Sequence, residues 1–346
     1  MRLSSDQNEL REIVRRFLGE QVPSEYLRSR IANGVRRDPA FFTSLAELGL
    51  EEGFGGDSPM FSLEELSLIA HECGYALVPE PVIEQLLCSA ILPRVMSAPE
   101  RAGFCGEFAG AVTSIAASSC SALHLNSTDG TVSGAVVWAW GGEAAERIVA
   151  FADTPEGRRA VVFLLNQHGV IRAATTSLDL TVALVGVSAQ CVKALVCSRE
   201  TTAAIEDTLE ALKAAEAAGI CDRVLSMTCD YVKTREQFGR PIGSFQAVQQ
   251  KLADLYAASE SLQSLSRFAA WASVHAPSQR PLTSRAAVLL GCETAPRVCE
   301  GAIQCHGGMG FTWEYDLHLY LRRAKTIQAA FGLSEARASE LLGRVA

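Results

Sequence analysis

No uninterrupted apolar run in this chain approaches the roughly 20 residues needed to cross a bilayer. The amino terminus, Met1-Arg2-Leu3-Ser4-Ser5-Asp6-Gln7, also lacks the apolar core of a secretory leader and reads directly into a helix. We therefore expect no signal peptide and no membrane association. Positive charge is in deficit: 31 Lys and Arg against 39 Asp and Glu leave a net charge of −8. That balance argues against nucleic acid or an anionic membrane surface as a partner. Eleven cysteines are present, but none is arranged as Cys-x-x-Cys and no zinc-ligand spacing occurs. They read as reduced core thiols of a cytoplasmic protein, with no metal site expected. What the chain does have is 48% apolar content over 346 residues, enough for a substantial core in two or three domains.

Residues 1–96 read as a helical domain. Leu10, Ile13, Val14, Phe17 and Leu18 make one apolar face at helical spacing, Phe41, Phe42, Leu45 and Leu48 another, and Leu63, Leu66, Ile69 and Ala70 a third. Gly53 to Pro59 reads as a glycine-rich loop; it follows no strand and lacks G-x-G-x-x-G, so it is no dinucleotide fingerprint. Over 97–205 the texture changes to short β-branched runs: 110–116, 131–138, 147–151, 160–165 and 184–187, with Asp129-Gly130 as a hairpin turn. Over 206–346 helices return, at 203–234, 244–275, 282–306 and 316–341, with 277–281 as a loop.

The densest chemistry lies at Arg235-Glu236-Gln237-Phe238-Gly239-Arg240-Pro241-Ile242-Gly243-Ser244-Phe245-Gln246. A helix carrying Tyr231 and Arg235 is expected to end at Gly239, and Ser244 to cap the next one, with Phe245, Val248, Leu252 and Leu255 as its buried stripe. Two arginines, an aromatic ring and the free N–H groups of a helix start suit a planar ring joined to an anionic linker, such as adenine and pyrophosphate. The plainer reading, a helix corner with solvated arginines, stays open on these residues alone.

The run Arg-x-x-Phe-Gly-x-Pro-Ile-x-x-Phe-Gln-x-x-Gln-x-x-Leu-Ala-Asp, beginning at Arg235, resembles the flavin-dependent acyl-CoA dehydrogenase family. A second block, Gln304-Cys305-His306-Gly307-Gly308-Met309-Gly310-Phe311-Thr312-Trp313-Glu314, is similar to that family's Gln-x-x-Gly-Gly-x-Gly signature. The resemblance covers the C-terminal half without a gap, and Glu47-Leu48-Gly49-Leu50 and Glu72-Cys73-Gly74 extend it into the N-terminal helices. It implies an α+β fold: an N-terminal helical domain, a small central β-barrel or sandwich, and a C-terminal four-helix bundle. It implies FAD, with Arg235 on the pyrophosphate, Phe238 packed on the cofactor, Gln246 near the adenosine end, and Gln304, Gly307 and Gly308 beside the ADP moiety.

The family removes hydrogens from Cα and Cβ of an acyl-CoA thioester, a glutamate taking the α proton and the flavin the β hydride. Neither place where the family keeps that glutamate holds one here. Phe331 occupies the usual position after Arg323-Ala324-Lys325, and Leu209 the alternative one, with Glu210 where an arginine would stand. Glu206 and Glu210 are fallback bases, expected as solvated glutamates on an amphipathic helix. The Thr-Glu-Pro-x-x-Gly-Ser-Asp stretch that contacts the flavin ring has no counterpart near Gly106-Glu107-Phe108-Ala109-Gly110. In a later strand Trp138 survives, read here as a core aromatic, while Trp140 replaces a flavin-bonding hydroxyl residue and its bulk fills the ring's place. Cys305 and His306 read as structural, and His318 as satisfied or exposed.

A chain with the ADP-end motifs but without ring pocket or base resembles the smaller, non-catalytic subunit of heterotetrameric steroid side-chain acyl-CoA dehydrogenases. The expectation is an oxidoreductase subunit, inactive alone, that shares FAD with a homologous partner carrying the glutamate and binding most of the acyl-CoA. The assembly would be two-plus-two, with an electron-transfer flavoprotein as acceptor. Two rivals remain: a self-sufficient flavoenzyme of the same fold using Glu206 or Glu210, and a flavin-free scaffold.

Overall fold

Ser4 shows how directly local chemistry sets the elements: its hydroxyl accepts from the Gln7 N–H and the Gln7 amide oxygen accepts from the Ser4 N–H, both at 3.1 Å. This reciprocal cap opens α1, Ser5–Gln21, whose Leu10, Val14, Phe17 and Leu18 are buried. The computed structural model describes residues 2–34, 37–50, 53, 60–107 and 112–332. After α1 come α2 (Ser24–Ala32), α3 (Pro39–Ala46), α4 (Leu63–Ala76), α5 (Val82–Leu86), α6 (Leu92–Val95) and α7 (Ala98–Glu107). Then follow β1 (Thr113–Ile115), β2 (Ser121–Asn126), β3 (Thr131–Trp140), β4 (Arg147–Asp153), β5 (Arg159–Leu164), β6 (Val170–Ala174), β7 (Leu184–Lys193) and β8 (Leu195–Val196). The chain continues with α8 (Arg199–Thr234), β9 (Glu236–Gln237), β10 (Arg240–Pro241), α9 (Gln246–His275), α10 (Arg280–His306) and α11 (Leu317–Phe331).

These elements form two compact units, and neither is continuous in sequence: Ser29–Leu66 with Pro79–Leu209, and Met1–Arg28 with Ser67–Val78 and Glu210–Ala346. The first is built on an eight-stranded sheet in the order β6-β7-β3-β1-β4-β5-β8, with β2 paired to both β3 and β4. Its core is aliphatic and aromatic, with Val136, Ile148, Val161, Phe163 and Val187 essentially inaccessible. Asp129-Gly130 does close a hairpin, between β2 and β3. Neither β6 nor β8 was expected: β6 is an edge strand with four of five residues exposed and β8 is two residues long, so neither presents the apolar run that marks a buried strand. Helix continues to Glu107, past the change of texture at 97. Of the expected run 110–116 only 113–115 is strand, and most of 53–59, 108–111 and the end of the helix expected to 341 lie outside the described residues.

The second unit is helical. From Glu210 to Val224 α8 is almost wholly buried, as a helix surrounded by others must be. Its crossing with α4 leaves no room for side chains. A Cβ on Gly219 would stand 1.9 Å from the His71 carbonyl oxygen, and one on Gly74 2.0 Å from that of Glu216. The apolar interior also carries charge in matched sets. Glu216 accepts from Lys213 and from Arg323, each at 2.8 Å, and Arg323 also donates to the Val78 carbonyl at 3.1 Å. Burial opposes ionisation of Glu216, but the two cations hold its carboxyl below the usual range.

Candidate functional site

The corner after α8 differs from the one expected. The helix stops at Thr234, and Arg235 lies outside it, its N–H bonded to the Tyr231 carbonyl at 2.8 Å. Gln237 then pairs with Arg240 across a two-residue turn, with Phe238 at φ 53° and Gly239 at φ 76°. Two positive φ values in succession define the turn that matches strand twist in short hairpins. Ser244 does not cap α9 either. It sits in a short 3₁₀ turn and donates to the Pro241 carbonyl at 2.7 Å, while Phe245 stands at the cap position with no side-chain bond. The first N–H groups of α9 are thus left without a side-chain acceptor. Of the expected stripe only Leu255 is fully buried; Phe245, Val248 and Leu252 are half-buried.

This corner and the second block meet at an aromatic cluster. The Tyr231 ring stacks on His306 with centroids 4.1 Å apart and planes at 21°, and Tyr315 packs edge-on to Tyr231 at 6.0 Å. The Tyr231 hydroxyl donates to the His306 carbonyl at 3.4 Å. His306 Nδ1 donates to the Ala302 carbonyl at 2.9 Å, so Nε2 carries the lone pair, buried and without a partner. Burial pushes this imidazole below its ordinary pKa, which suits a neutral packing ring. Burial also raises the Cys305 thiol, the opposite of what an activated thiolate needs. His318 Nδ1 donates to the Tyr315 carbonyl at 3.0 Å, with Trp313 edge-on at 4.8 Å. Structural roles therefore account for both histidines.

The six residues assigned to the ADP end face outward. Arg235, Phe238, Gln246, Gln304, Gly307 and Gly308 are all exposed, Phe238 at 92%. Among the described residues the Arg235 side chain has no ion-pair partner, while Arg240 lies over the Phe245 ring at 4.1 Å. Gly307 takes φ 60°, and neither it nor Gly308 has a heavy atom within 4 Å of where a Cβ would be. Lys251 donates to the Gln304 side-chain oxygen and so adds a cation to the rim. Sequence reading missed Lys251, because a lysine on an exposed helix face looks like any solvated charge.

The expected base positions are closed. Leu209 and Phe331 are buried, at 1% and 3% exposure. Glu210 is not the solvated glutamate expected: it is buried and gripped by Arg285, Nη2 to Oε1 at 2.8 Å and Nε to Oε2 at 3.1 Å. Glu206 is half-buried. In the sheet unit Trp140 is buried and Trp138 half-buried, the two rings edge to face at 4.9 Å. Among the described residues no cluster of His, Cys, Asp or Glu is arranged to hold a metal ion, and no helix is long and apolar enough to cross a membrane.

A profile of the acyl-CoA dehydrogenase C-terminal domain matches residues 210–345. The acyl-CoA dehydrogenase IpdE2 of Mycolicibacterium smegmatis is 28% identical over 334 residues, covering 93% of both chains. Two further curated relatives, 42% identical over 120 residues and 32% over 301, are spanned over only 36% and 40% of their own lengths. Among solved structures, the "Tcur3481-Tcur3483 steroid ACAD G363A variant" superposes with a TM-score of 0.85 at 23% identity, over 98% of this chain and 97% of that one. The ChsE4-ChsE5 complex of Mycobacterium tuberculosis gives 0.84 at 22%, over 99% and 97%. At such identities these two likenesses establish the fold.

Proposed function

We propose, from the premise that this chain belongs to the acyl-CoA dehydrogenase family through its C-terminal domain, that it is the non-catalytic member of a heteromeric FAD-dependent acyl-CoA dehydrogenase. The observation that carries this reading is a contrast within the helical unit. Phe331 fills the usual base position with a buried ring, and Glu210 spends both carboxylate oxygens on Arg285, whereas the ADP-end residues stand open.

The residues present fit one end of FAD. A glycine pair with empty space where a Cβ would be lets a backbone come close to a bulky group. The unpaired Arg235 guanidinium and the uncapped start of α9 offer charge and N–H donors to a pyrophosphate. Phe238 offers a ring face, and the Lys251–Gln304 contact holds the amide at the rim. When bound, FAD supplies the hydride acceptor for α,β-desaturation of an acyl-CoA. Phe331 and Leu209 cannot accept the α proton and Glu210 is clamped, so this reading gives that role to a homologous partner carrying a glutamate in a two-plus-two assembly, with the half-buried Glu206 as the base of the rival reading. Reoxidation falls to an electron-transfer flavoprotein. The two structural neighbours, a steroid ACAD variant and the ChsE4-ChsE5 complex, support a bulky, steroid-like acyl group and an unlike partner.

The test is flavin stoichiometry by absorbance, with the chain purified alone and co-purified with an unlike dehydrogenase chain. The expected result is a colourless lone chain and one FAD per unlike pair. One FAD per chain in a stable assembly of identical chains overturns the reading.

A further inference from the structure

The helical unit holds a cavity of about 330 Å³ that none of the proposed FAD residues lines. Its walls come from α1, α2, α4, α8 and α11. One side is hydrocarbon, from Leu18, Val22 and Leu27. The charges on the other side are mostly spent. Arg15 is bound to Glu72 at 2.6 and 3.0 Å and reaches Asp222 at 3.3 Å. Asp316 accepts from Arg28 at 3.0 Å and from the Ser24 hydroxyl at 2.7 Å. Arg223 is the exception. It is half-buried, its guanidinium 5.4 Å from the Tyr75 ring centroid, and among the described residues no carboxylate lies within ion-pair distance. The neighbouring Tyr75 and Tyr320 hold it ionised against the cost of burial. A sheltered cation without a counter-charge favours an anion beside it.

A second observation is independent of charge. Gly19 lines the cavity inside helix α1, where a glycine costs roughly 0.5–1 kcal/mol relative to alanine. It is not at a turn or at a positive φ, and a Cβ there would meet nothing within 4 Å. No packing inside the chain explains it. Gly19 is itself exposed, so its lack of a side chain leaves the mouth of the cavity open.

We propose that this cavity binds a small monocarboxylate, its carboxylate on Arg223 and its short hydrocarbon tail against Leu18, Val22 and Leu27. Arg223, with no carboxylate in ion-pair reach among the described residues, sets the carboxylate head, the aliphatic wall sets the tail, and a volume at the low end of ligand cavities, roughly 300–1,000 Å³, sets a chain of a few carbons. The assignment does not rest on the flavin reading, since none of the residues it uses belongs to the flavin motifs.

The test is a titration of the full-length chain, in the assembly in which it purifies, with sodium butanoate, followed by calorimetry and by the melting temperature. Butanamide serves as the uncharged isostere and inorganic phosphate as the anion without a tail. Butanoate is expected to bind saturably and raise the melting temperature, and the other two are not. Arg223→Gln should weaken binding about tenfold or more, the scale of a charge-assisted contact. Gly19→Leu should fold at least as well as the parent and lose the butanoate response, so the test survives if Arg223→Gln does not fold. Equal responses to butanoate and butanamide, tighter binding of phosphate, no saturable butanoate binding, or an unchanged response in Gly19→Leu each overturn the proposal.

Discussion

Glu210 and Arg285 form a two-bond ion pair within the helical bundle, at 2.8 and 3.1 Å, with both side chains buried. The glutamate nearest to an expected base position is thereby committed to holding helix α8 against α10. Removing one partner of such a pair leaves a buried charge, at a cost of about 3–5 kcal/mol. We predict that Glu210→Ala and Arg285→Ala each destabilise by that order in urea unfolding. The double substitution Glu210→Met with Arg285→Met should recover much of the loss. On the proposed reading, turnover of the heteromeric assembly should survive Glu210→Gln. A folded Glu210→Gln enzyme that has lost activity by more than about a hundredfold would instead make Glu210 the base.

The open glycines separate binding from folding. Gly308 has no positive φ and no atom near a prospective Cβ, so Gly308→Val should leave the melting temperature of the flavin-free chain nearly unchanged. In the assembly the same substitution should sharply lower the flavin retained through gel filtration. Arg235→Ala should do likewise through loss of a charge-assisted contact, by about tenfold in FAD affinity. Full flavin retention in both variants would remove these residues from the site.

Glu100 makes stability depend on acid. Burial disfavours its charge, but donors from Ser97, Ser198 and Thr201 outweigh that and bring its pKa to about 2 from an ordinary 4.5. A carboxylate with a depressed folded pKa contributes stability that is fully present above the unfolded value and lost as pH falls through the folded one. The sheet unit should therefore weaken between about pH 4.5 and about pH 2, by an amount on the order of 2–3 kcal/mol from this group. Glu100→Gln should be less stable at neutral pH and flatter over that window in denaturant titrations. Parallel profiles for the parent and variant chains would contradict this.

The α4–α8 crossing has no slack. Gly219→Ala places a Cβ 1.9 Å from a backbone oxygen, so the helices must separate. We expect a loss of at least about 3 kcal/mol, at the upper end of overpacking costs. An unshifted melting temperature would contradict the packing.

Much of the fold was legible because its signals are local. Ser4 and Gln7 cap a helix that starts beside them, and the Asp129-Gly130 turn closes a hairpin on its own neighbours. The two sequence blocks could be read as motifs, but their convergence rests on Tyr231 stacking on His306, 75 residues away, which no local pattern encodes. The burial of Glu210 was hidden for the same reason, since its partner Arg285 is also 75 residues distant. β6 was missed because an exposed edge strand needs no apolar pattern. The hairpin at Phe238-Gly239 was missed because a glycine after a helical run looks like a helix stop, and aromatic residues rarely take a positive φ.

That hairpin has a cost for the free chain. Phenylalanine in the left-handed region is disfavoured by roughly 1–2 kcal/mol, and at 92% exposure the Phe238 ring regains little of this by packing. Asparagine or glycine would fit the turn better. A directed-evolution campaign that scores the lone polypeptide for heat resistance or yield would therefore discard this aromatic early, and on the proposed reading its improved clones would hold flavin less well.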